Sequence, residues 1–253
     1  MPTYWERYFD GWEVSPWRVG VFLAAILCCW CLTGYLRLHG YLRPGDARKI
    51  NHILALAGVA LWFGWLPPGM ARASAMLTGA CILVLVTFTC VWHKAPPFSW
   101  AFAANTRPSD APYESLLFWT SWLMSILALL IADLAFMDIQ LSRTAALLVG
   151  IGDGLAEPVG IRWGRHQYRV QWTKWMKPST RSIEGSLCVA LSSLVIIICC
   201  YASSGMPVWP QLIGGALLVA LVLTLIEAVS PHGWDNFTVP ITAALLLHAL
   251  FGG

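Results

Sequence analysis

Apolar residues run along the chain in long blocks, and short stretches rich in Gly, Pro and charge separate them. Blocks near 20 residues match the length a helix needs to cross a bilayer, and the period-two alternation of a membrane strand is absent. Taking the Gly, Pro and charge clusters as ends predicts eight spanning helices, over 17–38, 50–66, 73–92, 115–136, 142–159, 185–202, 210–228 and 237–251. The last segment is short, so seven is the competing count. The expected fold is an all-α polytopic transmembrane bundle of seven or eight spans. Residues 1–16 form a segment ahead of a single membrane domain over 17–253.

Composition sharpens this picture. With 58% hydrophobic and 11% charged residues in 253, the chain has too little polar surface to cover a soluble globule. Residues 1–16 carry Glu6, Asp10 and Glu13 and lack a basic start followed by a small-residue cleavage site, so no cleavable signal is expected. All eight cysteines fall in apolar blocks, where a thiol acts as a small hydrophobe; Cys28, Cys29 and Cys31 have no His at zinc spacing.

Net charge is only +3, but its placement orients the chain. Residues 37–49 carry Arg37, Arg43, Arg48 and Lys49, and the loop at 161–182 carries Arg162, Arg165, Arg169, Lys174, Lys177 and Arg181 with no acid. Basic loops stay in the cytosol. Eight spans with these loops inside put twelve of the sixteen Lys and Arg inside and both termini outside. An integral, multi-pass protein with a cytosolic functional face follows, and the compact chain suits a bacterial plasma membrane. No second copy of any segment is evident, which gives no support to a transporter built from inverted repeats.

Four polar elements gather at that face. Residues 152–164 read GDGLAEPVGIRWG, with Asp153, Ala156, Gly160 and Gly164 on one helical face and Asp153 and Glu157 four apart. Close helix packing of small residues explains the glycines equally well. Next, 179–187 read STRSIEGSL, where Ser182 is placed to cap a helix and Arg181, Ser182, Glu184 and Gly185 form a phosphate-friendly start. Residues 227–240 bring Glu227, His232, Asp235 and Asn236; an ionised Glu227 inside a span costs about 3 kcal/mol or more unless paired or hydrated. The fourth element is RKINH at 48–52, with Arg48, Lys49 and His52.

Carboxylates at Asp153, Glu157, Glu184, Glu227 and Asp235, with Asn236, are hard oxygen donors of the kind Mg2+ takes, and the neighbouring cations suit phosphate. That combination points to a nucleoside triphosphate. No GxxxxGK[ST] stretch occurs, so a P-loop is excluded.

These residues resemble the superfamily of dolichol kinase, phytol kinase, CTP-dependent diacylglycerol kinase and phosphatidate cytidylyltransferase. DxxAxxxGxxxG at Asp153, Ala156, Gly160 and Gly164, then a basic residue, a hydroxyl residue, Glu184 and Gly185, is similar to that group's CTP-binding motif. RKxxH at Arg48, Lys49 and His52, and DNxxxP at Asp235, Asn236 and Pro240, resemble the polyprenol and phytol kinase branch. Arg181 stands where the family usually has Lys, and the stretch from Gly164 to Arg181 is longer than usual.

The resemblance implies a CTP-dependent lipid-alcohol kinase, moving the γ-phosphoryl group of CTP to a membrane lipid hydroxyl with Mg2+ as cofactor. Asp153, Glu184 and Asp235 are the implied metal and triphosphate ligands, with Glu157 and Glu227 as further carboxylates. Arg48, Lys49, Arg181, Ser182, Gly185 and Asn236 then serve phosphate or nucleotide. Gly160 and Gly164, with Ala156, allow close backbone approach, and His52 or Asp153 accepts the hydroxyl proton. The expected partners are CTP, a lipid alcohol and the bilayer, with no nucleic acid. Two rivals stand: a cytidylyltransferase attacking the α-phosphorus, and a transporter or non-catalytic membrane protein. Trp163, Trp172 and Trp175, interleaved with the basic residues of the 161–182 loop, are expected at the lipid headgroups.

Overall fold

Proline opens four of the long helices, at Pro16, Pro44, Pro68 and Pro210, where its missing N–H belongs to the first turn and costs no intrahelical bond. In the computed structural model, residues 3–171, 179–206, 210–231 and 233–252 are described. His232, Trp172, Lys174, Trp175 and Lys177 of the sequence reading lie outside them. The helices are α1 (Tyr4–Tyr8), α2 (Pro16–Leu38), α3 (Pro44–Phe63), α4 (Pro68–Val91), α5 (Phe98–Asn105), α6 (Glu114–Phe136), α7 (Ile139–Leu147), α8 (Gly154–Trp163), α9 (Ile183–Ser203), α10 (Pro210–Val229) and α11 (Asp235–Phe251). A π-helical turn, Leu148–Asp153, joins α7 to α8.

Six segments among the described residues are long and apolar enough to cross a membrane: α2, α4, α6, the continuous run from α7 to α8, α9 and α10. They correspond to six of the eight expected blocks and make this a multi-pass membrane protein. The other two blocks are helical but fall outside that set. α3 begins six residues earlier than expected, so its opening turns carry Asp46, Arg48 and Lys49. α11 has 17 residues, about 25 Å of rise against a hydrocarbon layer of about 30 Å.

One expectation fails locally. The 161–182 stretch, expected to be a loop, contains a two-stranded antiparallel ribbon: β1 (Gln167–Val170) pairs with β2 (Ser179–Ser182), Gln167 facing Ser182 and Val170 facing Ser179. Four-residue strands are too short to show an alternating pattern over a useful window.

The chain divides into two compact units, 1–126 and 127–253. In the first, Val19, Phe22, Ile26 and Trp30 of α2 repeat every three or four residues and pack with Ala55 and Phe63 of α3, Ile82 and Val86 of α4, Ala101 of α5, and Phe118 and Trp122 of α6. The Trp30 ring lies 5.5 Å from that of Trp122 and 5.8 Å from that of Phe118. α5, not expected from the sequence, packs so tightly on α2 that any side chain at Gly34 would run into the Trp100 carbonyl.

The second unit is built from α7 onward with the end of α6. The buried stripe of α9 runs Gly185, Val189, Ser193, Ile196, Ile197, Tyr201. That of α10 runs Leu212, Ala216, Val219, Ala220, Leu223, Glu227, and that of α11 Asn236, Val239, Pro240, Ala243, Ala244, Leu247. Each stripe is apolar along most of its length, and at one end it is completed by Gly185, Glu227 or Asn236. Those ends are the start of α9, the end of α10 and the start of α11, so polar groups occupy core positions where the three helix ends meet.

Candidate active site

The π turn breaks the regular hydrogen-bond ladder immediately before Asp153, the last residue of the turn, and α8 then presents Ala156 and Gly160 toward α9. A β-carbon on Gly160 would lie 2.9 Å from Ser182 Oγ, and one on Gly185 would lie 2.9 Å from the Ala156 carbonyl oxygen. On Gly164 it would meet the Gly160 carbonyl and approach Ser182 Cβ to 2.7 Å. The three glycines therefore let α8 and the start of α9 close on each other, with Ser182 filling the gap. Ser182 Oγ also accepts from the Gly185 amide at 3.1 Å, which makes it the N-cap of α9.

Because Ser182 ends β2 and caps α9, the ribbon is fixed to the helix start. The Ile183 amide donates to the His166 carbonyl, the Tyr168 and Ser186 hydroxyls meet at 2.7 Å, and His166 Nδ1 lies 2.9 Å from Glu184 Oε1. The ribbon thereby holds Glu184 through His166 and carries Arg181 toward the ends of α10 and α11.

Arg181 is the centre of the charged cluster. Its Nη1 pairs with Glu227 Oε1, and its Nη2 lies 3.2 Å from both Asp235 Oδ2 and the Ser230 carbonyl. All three ionised side chains are largely withdrawn from solvent, at 13%, 6% and 16% exposure. Arg181 Nε is buried with no partner among the described residues. Oxygen atoms of Asp153, Glu227 and Asp235 lie within 4.8 Å of one another, a spacing that one hard cation can bridge. Two carboxylates share one guanidinium, so the cluster retains negative charge, and both its donor chemistry and its spacing fit a divalent ion.

Of the sequence candidates in this unit, Asp153, Arg181, Glu227 and Asp235 come together around that point. Ser182, Gly160, Gly164, Gly185 and Ala156 form the packed joint beneath them, and Asn236 is buried beside Asp235. Glu184 is engaged by His166, while Glu157 lies one turn along α8 from Asp153. The first unit holds Arg48, Lys49 and His52 on α3, with Lys49 at 3% exposure. Beside them a buried network missed in the sequence joins Asn51, Thr33 and Asn105: Thr33 Oγ1 donates to Asn51 Oδ1 at 3.1 Å, and Asn51 Nδ2 reaches Asn105 Oδ1 at 3.4 Å. His166 and Ser230 were also missed. The polar stretch around His166 had no periodicity to mark it, and Ser230 acts through its main-chain carbonyl, which no side-chain pattern reports.

A phytol kinase of the cyanobacterium Synechocystis sp. is 31% identical over 239 residues, covering 92% of each chain. The chain belongs to the phytol kinase family. A probable chloroplastic phytol kinase of wheat, Triticum aestivum, is 30% identical over 210 residues, or 81% of this chain and 67% of the wheat protein. No family profile and no solved structure matches it. Membership makes this phytol kinase relative a phosphotransferase with an alcohol as acceptor, acting on a lipid in the bilayer.

Proposed function

We propose that this family member transfers the γ-phosphoryl group of CTP to an isoprenoid-type lipid alcohol with Mg2+ as cofactor, at the carboxylate cluster of the second unit. The observation that carries the reading is the convergence of Asp153, Glu227 and Asp235 around Arg181 at the meeting point of three helix ends. Asp153, Glu227 and Asp235 would hold the divalent ion, which when bound neutralises charge on the phosphate oxygens. Arg181 is the phosphate partner: Nη1 is held by Glu227 and Nη2 by Asp235 and the Ser230 carbonyl, which leaves Nε–H as the donor for a phosphate oxygen. The alcohol oxygen forms a bond to the γ-phosphorus as the bond from that phosphorus to the bridging oxygen of CDP breaks, and the hydroxyl proton passes to Asp153, the candidate acceptor in this unit. Positioning and charge neutralisation supply most of the rate.

Glu184 and Asn236 serve as further oxygen ligands for nucleotide or ion, Gly185 lends its amide at the start of α9, and Arg48 and Lys49 neutralise phosphate. Gly160 and Gly164 act by keeping α8 on the Ser182 cap. Eight spans, with α3 and α11 completing the set, put both termini outside and the cluster at the cytosolic face, the side on which twelve of the sixteen Lys and Arg then fall. A bacterial plasma membrane suits this arrangement, and the cyanobacterial relative supports it.

The nucleotide is tested with purified protein in lipid vesicles, Mg2+, phytol-like, polyprenol and diacylglycerol acceptors, and γ-labelled CTP, ATP, GTP and UTP supplied one at a time. CTP is expected to label the lipid phase at least tenfold faster than the other three. Labelling from ATP with none from CTP would overturn the CTP assignment and leave the kinase activity standing.

A further inference from the structure

A groove of about 250 Å3 runs between α10 and α11 in the second unit. Ile226, Val229 and Ser230 line it from the end of α10, and Phe237, Thr238 and Ile241 from the start of α11. It adjoins the charged cluster directly. Ile226 precedes Glu227 in the chain, Thr238 follows Asp235 by one helical turn, and Ser230 belongs to both places, since its carbonyl accepts from Arg181 at 3.2 Å.

The groove is mostly hydrocarbon, with a pair of hydroxyls beside the cluster. At the cluster end the Ser230 and Thr238 hydroxyls meet at 2.7 Å; Ser230 Oγ donates to the Ile226 carbonyl and Thr238 Oγ1 to the Trp234 carbonyl, so the pair offers acceptor lone pairs to an incoming hydroxyl. Around these hydroxyls the walls are the hydrocarbon of Ile226, Val229 and Phe237, and one turn further along α11 they are Ile241 with Thr242 beside it; Val229 is half exposed. The matching ligand has one hydroxyl at its end and a hydrocarbon body that enters sideways from lipid.

A second groove of about 350 Å3 lies between α9 and α10, lined by Ala190, Leu191, Leu194, Leu217 and Leu221. It is larger and wholly aliphatic. Leu221, its lining residue on α10 nearest the cluster, precedes Glu227 by six positions, about 9 Å along the helix axis, so hydrocarbon lying there has no polar group to deliver its head to the cluster.

We infer that the acceptor alcohol lies in the α10–α11 groove, its tail between Val229, Phe237 and Ile241 and its hydroxyl held by Ser230 and Thr238 beside Arg181 and Asp235. The inference rests on the reading of the second-unit carboxylates as the transfer site. It makes Ile241 a determinant of acceptor-tail specificity, and it leaves the α9–α10 groove to ordinary lipid.

Two measurements test it on the full chain in vesicles. Ile241→Trp fills the proposed groove and Leu217→Trp the other; the first should raise the KM for a long branched alcohol at least tenfold with the nucleotide KM within twofold, and the second should leave both within twofold. Ile241→Ala, which removes bulk, covers the case in which the Trp variant fails to fold, and it should shift preference toward tails branched near the hydroxyl. The second measurement needs no turnover: an alcohol carrying a diazirine on its tail is photolysed with the wild-type protein, and labelled peptides are mapped. Label concentrated on α10 and α11 supports the groove; label centred on Leu191 and Leu217, or a KM raised by Leu217→Trp and untouched by Ile241→Trp, overturns it. Absence of phosphoryl transfer to any alcohol by wild type would defeat the functional reading, while the photolabel would still report on the groove.

Discussion

Removing Glu227 tests whether the charged cluster is one coupled unit. In the wild type its carboxylate pairs with Arg181 Nη1, and the two side chains are only 6% and 13% exposed, so water screens the pair little. Glu227→Ala removes the Nη1 contact and leaves Arg181 buried with Asp235 and the Ser230 carbonyl on Nη2. Breaking a buried pair by removing one partner costs about 3–5 kcal/mol, and the remaining Asp235 contact places this case near the lower figure, about 3 kcal/mol. Arg181→Met costs a similar amount, because it leaves Glu227 and Asp235 facing each other without a cation. The double variant Glu227→Ala with Arg181→Met removes both charges of the pair, and its cost should fall short of the sum of the two single losses by about 2 kcal/mol or more. Unfolding of the four proteins in mixed micelles, followed by circular dichroism against denaturing detergent, measures the cycle. Additive single losses, or single losses below about 0.5 kcal/mol, would refute the coupling. All three variants should be inactive, so that in the double variant stability is partly restored and activity is not.

Asp153→Asn keeps the size of the side chain and removes one charge from the cluster; kcat should fall at least about 10²-fold with thermal stability nearly unchanged, measured as lipid phosphorylation beside an unfolding curve. Gly164→Ala drives a methyl group against the Gly160 carbonyl and Ser182, and should destabilise the α8–α9 joint by about 1–3 kcal/mol in an unfolding measurement. Ser182→Ala removes the α9 cap, about 1 kcal/mol in an unfolding measurement, and should lower nucleotide affinity as Arg181 loosens. Lys49→Ala in the first unit should lower kcat/KM for the nucleotide at least tenfold with the alcohol KM unchanged, read from initial rates.

Much of the helical plan was legible because apolar blocks near bilayer length have few alternatives: α10 covers Pro210–Val229 against an expectation of 210–228, and α9 Ile183–Ser203 against 185–202. Helices start earlier than the apolar pattern predicts where polar residues belong to the helix itself. Charge at Asp46, Arg48 and Lys49 resembled a loop, yet Gly45, Asp46 and Ala47 are buried in the first turns of α3. Short α5 and the ribbon carried too few residues to show a period. At the site, Glu227 was conspicuous as a lone carboxylate in an aliphatic run, and Arg181 as a cation before a helix start. Their pairing was not legible, since it joins residues far apart in sequence through a ribbon that holds Arg181 at the end of α10. The spacing of Gly160 and Gly164 marked a close approach without identifying what approaches; in the structure Ser182 does.

The most direct test of phosphoryl transfer at this cluster supplies Mg2+, a phytol-like alcohol, and CTP labelled separately at its α and γ phosphates to wild-type protein and to Asp153→Asn in vesicles. γ-Label entering the alcohol with wild type, no α-label in lipid, and loss of the γ-signal in Asp153→Asn is the predicted result. α-Label in the lipid, or a γ-signal untouched by Asp153→Asn, would contradict it.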